Sequence, residues 1–324
     1  MDASLIQSRA PLYFTLSDRN FLPRTLSMCR SLRLFERKSR IIYFATEPIT
    51  EIESTCFKKL GVEVFDVVDF LGESLVLQLK SERSLLEFMW TLPSVILSEI
   101  LTSERIFSDI VYLDADIFFF SDPKVIWKEV ALGNVSIVSH NFSNRLRDIF
   151  LDSGEFNVSW VSIPNSEFGK EVARSWAENC LKLCPEIPVS NNGRFAYGDQ
   201  KYLDYWPEDF GTRIQIIQNP GVGVAPWNYE KFQITNKEPF LVDNSPLVFY
   251  HFSSHQFGFF FARKMGSEYS KVSPLPSALY EHYENDLKAS AHQLGMKSWK
   301  SRFIPLRIRI YKFVKRRFFS SFSR

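Results

Sequence analysis

Asp114 and Asp116 stand one residue apart in the run Val111-Tyr112-Leu113-Asp114-Ala115-Asp116-Ile117-Phe118-Phe119-Phe120, which ends at Ser121-Asp122-Pro123. Carboxylates in turns are ordinarily flanked by Gly, Ser and Asn, but these two interrupt an apolar run that reads as a buried strand. Two unpaired carboxylates buried at the end of such a strand cost several kcal/mol, so something must compensate them. Side chains at i and i+2 share one face of an extended strand, and oxygen ligands suit a hard divalent cation. The spacing therefore predicts a metal site at Asp114 and Asp116 able to hold a diphosphate, with an ordinary turn as the plainer alternative.

The elements that must position this pair read as alternating strands and helices. Leu12–Ser17 forms a first strand, and a helix follows to about Phe35. A strand at Arg40–Thr46, a helix near Ile49–Leu60 and a strand at Val62–Val68 come next. That alternation implies a parallel sheet with right-handed crossovers, whose ligands bind at the carboxyl ends of the strands. Thr15, Ser17 and Asp18 then reach the crevice, where a base or ribose can sit, although Ser17 and Asp18 also suit a helix cap. Ser81–Thr102 is a long helical pattern interrupted by Pro93, with Trp90 and Thr91 near the site or in the core. Val125–Leu132 reads as a short helix, Val135–His140 and Phe156–Ile163 as strands, and Glu167–Leu183 as an amphipathic core helix. Leu247–Phe252 is a buried strand carrying His251, a residue that in such a place is commonly part of the core.

The chain has 324 residues, 45% hydrophobic and 15% aromatic, enough to bury a large core. Its net charge of +2 hides an asymmetry. Residues 297–324 carry ten Lys or Arg and no acid, leaving 29 basic against 37 acidic residues in the body. An acidic body argues against nucleic acid, and the basic tail argues for an anionic partner. No apolar leader precedes the first strand and no uninterrupted apolar run approaches the ~20 residues of a membrane span, so a cytoplasmic protein is expected. Cys29 and Cys56 read as helix core positions. Cys180 and Cys184 lie one turn apart with no further zinc ligands nearby.

In this order, Tyr112-Leu113-Asp114-Ala115-Asp116, Phe156-Asn157, Gly198-Asp199-Gln200 and Tyr250-His251-Phe252 resemble the GT-A glycosyltransferases. The likeness is to the retaining group related to glycogenin and the bacterial lipopolysaccharide galactosyl- and glucosyltransferases, and it covers about Leu12 to Phe252. It is closest to a bacterial subset with Leu-Glu-Phe-x-Trp-Thr before the Asp-x-Asp and Gly-Asp-Gln-Lys-Tyr-Leu after it. The resemblance implies an α/β fold of GT-A (Rossmann-like) type over residues 1–296, a mixed, mostly parallel sheet flanked by helices, followed by a basic, amphipathic, helical tail over 297–324. It implies that Asp114, Asp116 and His251 bind Mn²⁺ or Mg²⁺ on the diphosphate of a nucleotide sugar, a UDP-sugar above others. Asp114, Asn157 and Asp199 then meet the donor sugar, Gln200 lies beneath the anomeric carbon, and Thr15, Ser17 and Asp18 hold the base and ribose. Asp199 and Gln200 are the expected catalytic pair.

The implied acceptor is a glycolipid or glycan such as lipopolysaccharide or another surface polysaccharide. The tail is expected to hold the enzyme peripherally at the cytoplasmic face of the inner membrane. The chain departs from the pattern in two places: no Lys-Pro-Trp follows His251, with Lys264 as a substitute, and Ser17 stands where many relatives carry Asp. Two other readings stay open: a membrane-tethered GT-A-fold protein without turnover, and a haloacid-dehalogenase-type phosphatase. The phosphatase motif normally follows the first strand, whereas this one comes later and leads into Ile117.

Overall fold

Leu12–Ser17 (β1) is buried at every residue, as expected of a central strand covered on both faces. The computed structural model describes residues 10–102, 108–191, 193–257, 263–265 and 276–296. After β1 come Leu22–Phe35 (α1), Ile41–Ala45 (β2), Glu51–Lys59 (α2) and Val62–Asp66 (β3). Thr50 and Glu53 close a reciprocal capping box at the start of α2. Leu85–Thr102 (α3), Ile110–Leu113 (β4), Ile117–Phe119 (β5), Val135–Ser139 (β6), Phe156–Ile163 (β7), Glu167–Lys182 (α4) and Ile214–Ile216 (β8) follow. The seven-stranded sheet has the order β8-β6-β7-β4-β1-β2-β3. Only β7 runs antiparallel to its neighbours, so the expected mixed, mostly parallel sheet flanked by helices is what forms.

The period of two along the strands sorts side chains onto opposite faces. Leu12, Phe14 and Leu16 join Phe88, Leu92, Ile96 and Trp176 of α3 and α4. Tyr13 joins Leu22, Leu26 and Leu32 of α1 on the other face. Among the described residues α3 is the helix long and apolar enough to cross a membrane, 18 residues at mean hydropathy 1.4, but here it packs in the core beneath the sheet.

Several boundaries differ from the expectations. The long helix begins at Leu85, because the chain first forms the separate helices Val67–Leu71 and Glu73–Glu82. The first of these is capped by Asp66, which ends β3 early. The short helix near Val125 is a 3₁₀ turn over Pro123–Lys128. Cys184 lies beyond the end of α4 rather than one turn along it.

The larger correction concerns the acidic motif. Asp114 and Asp116 do not share one face of a continuous strand, because β4 ends at Leu113 and the chain turns before β5. β5 leaves the main sheet and pairs antiparallel with Phe249–His251 (β9), with His251 opposite Ile117. His255–Phe257 (β10) and Arg263–Met265 (β11) form a small ribbon. Ser277–Gln293 (α5), which the sequence reading did not foresee, lays Leu279, Tyr280, Tyr283 and Leu287 against the β5–β9 layer. Its Asp286 receives Arg30 of α1 at 2.9 Å. The side chain of Lys264 and the basic tail lie outside what is described.

Candidate active site

In a parallel sheet of order β4-β1-β2-β3, adjacent crossovers diverge between β1 and β4, opening a crevice at their carboxyl ends. Ser17 and Asp18 close β1, and Asp114 to Asp116 close β4. A cleft of about 360 Å³ opens there, bordered by Asp18, Asp114, Asp116, Asn157, Asp199 and His251 among others.

His251 reaches this crevice from far along the chain through backbone pairing. Its N–H donates to Val224 O at 2.8 Å, and the next residue, Phe252, donates to Asp116 O at 2.9 Å. The imidazole Nε2 consequently lies 3.0 Å from Asp116 Oδ1 and 3.8 Å from Asp114 Oδ2. One ligand atom from each of Asp114, Asp116 and His251 lies within 4.8 Å of the others. The His251 Nδ1 is buried without a hydrogen-bond partner in the structure. Two oxygen donors and an imidazole suit Mn²⁺ or Mg²⁺, so the residues present fit such an ion.

The two carboxylates differ electrostatically. Burial pushes Asp114 up to about 6, with Asp116 adding to the rise against the pull of His251. Burial also acts to raise Asp116, but His251 and the guanidinium of Arg24 outweigh it and hold this carboxyl below its ordinary value. Tyr112 Oη donates to Asp114 Oδ1 at 2.9 Å, and the Asp114 N–H reaches Ser159 O of β7 at 3.4 Å. A residue two positions upstream thus orients the motif's first carboxylate, a role the reading of the sequence missed.

Asp199 sits across the cleft. Gly198 (φ +55°) makes the turn before it, and a Cβ there would come 3.2 Å from the Trp90 ring. Trp90 therefore borders the cleft while packing on the turn. The Asp199 carbonyl accepts from Trp176 Nε1 at 2.9 Å. Burial, then the charge of Asp114, pushes the Asp199 carboxyl well above its ordinary value, which favours the protonated, hydrogen-bond-donating form. Gln200 Nε2 donates to Ser153 O at 2.8 Å. Asn157 Oδ1 accepts from Ser159 N at 3.0 Å, while its Nδ2 is buried without a partner.

The expected base-binding residues divide. Asp18 caps the following turn, accepting from Phe21 N at 3.1 Å, and also borders the cleft. Ser17 reaches the cleft, but its Oγ donates to Tyr43 Oη at 3.2 Å and accepts from Thr25 Oγ1 at 2.7 Å. Thr15 does not reach the cleft: it lies inside β1, fully buried beside Tyr43 of β2.

A cluster of His140, Phe142 and Trp227 was not foreseen. His140 stacks on Phe142 with ring centroids 4.6 Å apart, and Trp227 stands edge-on to both His140 and His251. Asn228 ties the two loops by donating to His140 O at 3.0 Å. The position of His140 directly after β6 was the available signal, since that is the ligand-binding edge of the sheet.

Burial pushes the His140 pKa down to about 3, outweighing contacts to backbone carbonyls that raise it. The folded value lies below the unfolded ~6.5, so the unfolded chain binds the extra proton first as pH falls. Between about pH 6.5 and 3, His140 should remove stability at up to about 1.4 kcal/mol per unit. Urea unfolding of His140→Gln should show a correspondingly shallower acid limb, and an unchanged limb would contradict the assignment.

No family model matches the chain. Among solved structures, the glycosyltransferase GlyE of Streptococcus pneumoniae TIGR4 aligns with a TM-score of 0.51 at 14% identity, covering 92% of this chain and 66% of GlyE. The fold is thus that of the GT-A glycosyltransferases, and it places the Asp-x-Asp after β4 rather than after the first strand. The uncharacterized protein YfnF of Bacillus subtilis (strain 168) is 30% identical over 254 residues, 75% of this chain and 81% of YfnF. The chain belongs to the same family as YfnF. YfnD of the same strain is 31% identical over 179 residues, 55% of this chain and 57% of YfnD.

Proposed function

We propose that the protein is a metal-dependent glycosyltransferase. Its donor is a nucleoside-diphosphate sugar, with a UDP-sugar favoured, and its acceptor a glycolipid or glycan such as lipopolysaccharide or another surface polysaccharide. The observation that carries this is the convergence of Asp114, Asp116 and His251 within 4.8 Å, in one cleft with Asn157, Asp199 and Gln200.

Cleaving a sugar–phosphate bond builds positive charge at the anomeric carbon and negative charge on the departing diphosphate. A divalent ion held by Asp114, Asp116 and His251 would supply Lewis-acid stabilisation of that leaving group. The chain's own groups do the rest. Asp199 and Asn157 Nδ2 offer hydrogen bonds to sugar hydroxyls. The bond from Gln200 Nε2 to Ser153 O fixes the amide at the border of the cleft, and an amide oxygen there would stabilise the developing positive charge. An amide is a weak nucleophile, which favours front-face attack by the acceptor hydroxyl, retention of configuration and transfer of the hydroxyl proton to the leaving phosphate. Asp18 and Phe21, at the β1 edge of the cleft, suit a ribose and a base.

The sequence of the basic tail, in which Ile310, Phe313, Val314 and Phe318 would share one side of a helix and Lys312, Lys315 and Arg316 the other, supports a peripheral site of action on an anionic cytoplasmic leaflet. The test incubates the protein with UDP-, GDP-, CDP- and dTDP-sugars, with and without Mn²⁺, in the presence of vesicles containing anionic lipid. Metal-dependent binding of one donor, with slow release of its nucleoside diphosphate as water stands in for the acceptor hydroxyl, is the expected result. Absence of release or binding with every donor would remove the transferase reading, and failure of the protein to sediment with the vesicles would remove the membrane reading alone.

A further inference from the structure

Arg24 of α1 is 2% exposed, an unusual position for a guanidinium, and it belongs to none of the motifs singled out from the sequence. It does not border the cleft; it lies behind it. One nitrogen donates to His255 O at 2.8 Å, and the guanidinium sits 4.5 Å from the centroid of the Phe21 ring, which does border the cleft. His255 is fixed in turn by Glu284 of α5 at 3.0 Å. Burial opposes the charge on Arg24, while Tyr283, Asp116 and Asp18 favour it, and Asp116 feels Arg24 in return. The backbone joins this cation to the site in two steps, since His255 N donates to Phe252 O at 3.1 Å and Phe252 N donates to Asp116 O at 2.9 Å.

Resting on the functional reading above, we propose that Arg24 is a positioning residue that couples cation binding to diphosphate binding. A fixed positive charge behind Asp116 repels a bare divalent cation from Asp114, Asp116 and His251. The same charge attracts the anionic complex of that cation with a diphosphate. Arg24 thus holds down the affinity for metal alone and raises the affinity for metal and diphosphate together, which is a coupling free energy between two ligands of one site.

The test uses the full-length chain and two probes, Mn²⁺ alone, followed by its electron paramagnetic resonance signal, and Mn²⁺ with saturating inorganic pyrophosphate. In the native protein pyrophosphate should tighten Mn²⁺ binding by about tenfold or more. In Arg24→Gln, which can still donate to His255 O, Mn²⁺ alone should bind as well as in the native protein or more tightly, and the enhancement by pyrophosphate should collapse to about threefold or less. Arg24→Lys, which keeps the charge, should retain it. A purely structural role predicts parallel weakening of both affinities in both variants, and that result overturns the proposal. If Arg24→Gln does not fold, loss of the enhancement in a folded Arg24→Lys protein overturns it equally. Native protein that binds neither Mn²⁺ nor Mn²⁺ with pyrophosphate overturns the functional reading and this inference with it, whereas an enhancement that persists in Arg24→Gln overturns this inference alone.

Discussion

Asp116→Ala should abolish the thermal stabilisation that a nucleotide sugar and Mn²⁺ confer together. A ligand at a hundred times its dissociation constant adds about 2.7 kcal/mol to the native protein, a shift of several degrees in a chain of this size. The variant should show none of it at the same concentrations. The two acids of the motif should also part company in the absence of any ligand. Asp116 is held ionised by His251 at 3.0 Å and by the buried Arg24, so its removal leaves Arg24 with less compensation. Breaking one side of a buried charge pair costs about 3–5 kcal/mol, and Asp116→Ala, which takes from His251 its partner at 3.0 Å, should cost the unliganded protein stability up to that order. Asp114 is the opposite case: burial and Asp116 push it up to about 6. Asp114→Ala removes a carboxylate that the unliganded fold tolerates poorly, which offsets part of the cost of stripping the buried Tyr112 hydroxyl of its acceptor, so it should cost less stability than Asp116→Ala while being equally deaf to Mn²⁺. Denaturant unfolding of both variants with and without Mn²⁺ checks this. Equal behaviour of the two acids in the absence of ligand would contradict the electrostatic asymmetry.

Much of this site was legible in residue types, because buried carboxylates, a histidine ending a buried strand and an acid beside an amide are expensive enough to require an explanation. Asp114, Asp116, His251, Asn157, Asp199 and Gln200 do converge. The geometry by which they converge was less legible. Side-chain alternation made Asp114 and Asp116 look like neighbours on one face of a strand, but Phe118 pairs with Tyr250 and Phe119 with Phe249, and no local pattern encodes that partner. Thr15 shows the opposite case: its position on β1 was read correctly, but the crevice begins one residue beyond it, at Leu16. α5 went unread because Ser277–Gln293 spreads its buried residues, Leu279, Tyr280, Tyr283 and Leu287, among charges whose counter-groups lie on distant elements, such as Arg30 for Asp286. Arg24 was invisible for the same physical reason, since a charged residue in an amphipathic helix reads as solvated until its partners are known.

Gly221→Ala should disorganise the site without touching any residue in it. A Cβ on Gly221 would lie 2.0 Å from Pro246 O and 3.2 Å from Leu247 Cα, and both are backbone atoms that cannot swing aside. The Gly221 carbonyl accepts from Val248 N at 2.7 Å and from Phe249 N at 3.3 Å, which starts the pairing that carries β9 forward. Three residues on, Val224 O receives the His251 N–H at 2.8 Å. To admit one methyl group, either the loop over Asn219–Asn228 or β9 must move outward, and every such movement draws His251 away from Asp116. Forcing an extra methyl into a packed interior typically costs about 1–3 kcal/mol, and the upper end applies where the obstruction is backbone on both sides. The expected result is a fall of about 3 kcal/mol in unfolding free energy, together with at least a tenfold loss of Mn²⁺ affinity in whatever folded protein remains, measured at a temperature well below its unfolding midpoint. If the substituted protein instead keeps native Mn²⁺ affinity and loses only stability, the loop and β9 are less rigidly joined than these contacts imply, and His251 must be held chiefly by its pairing with β5.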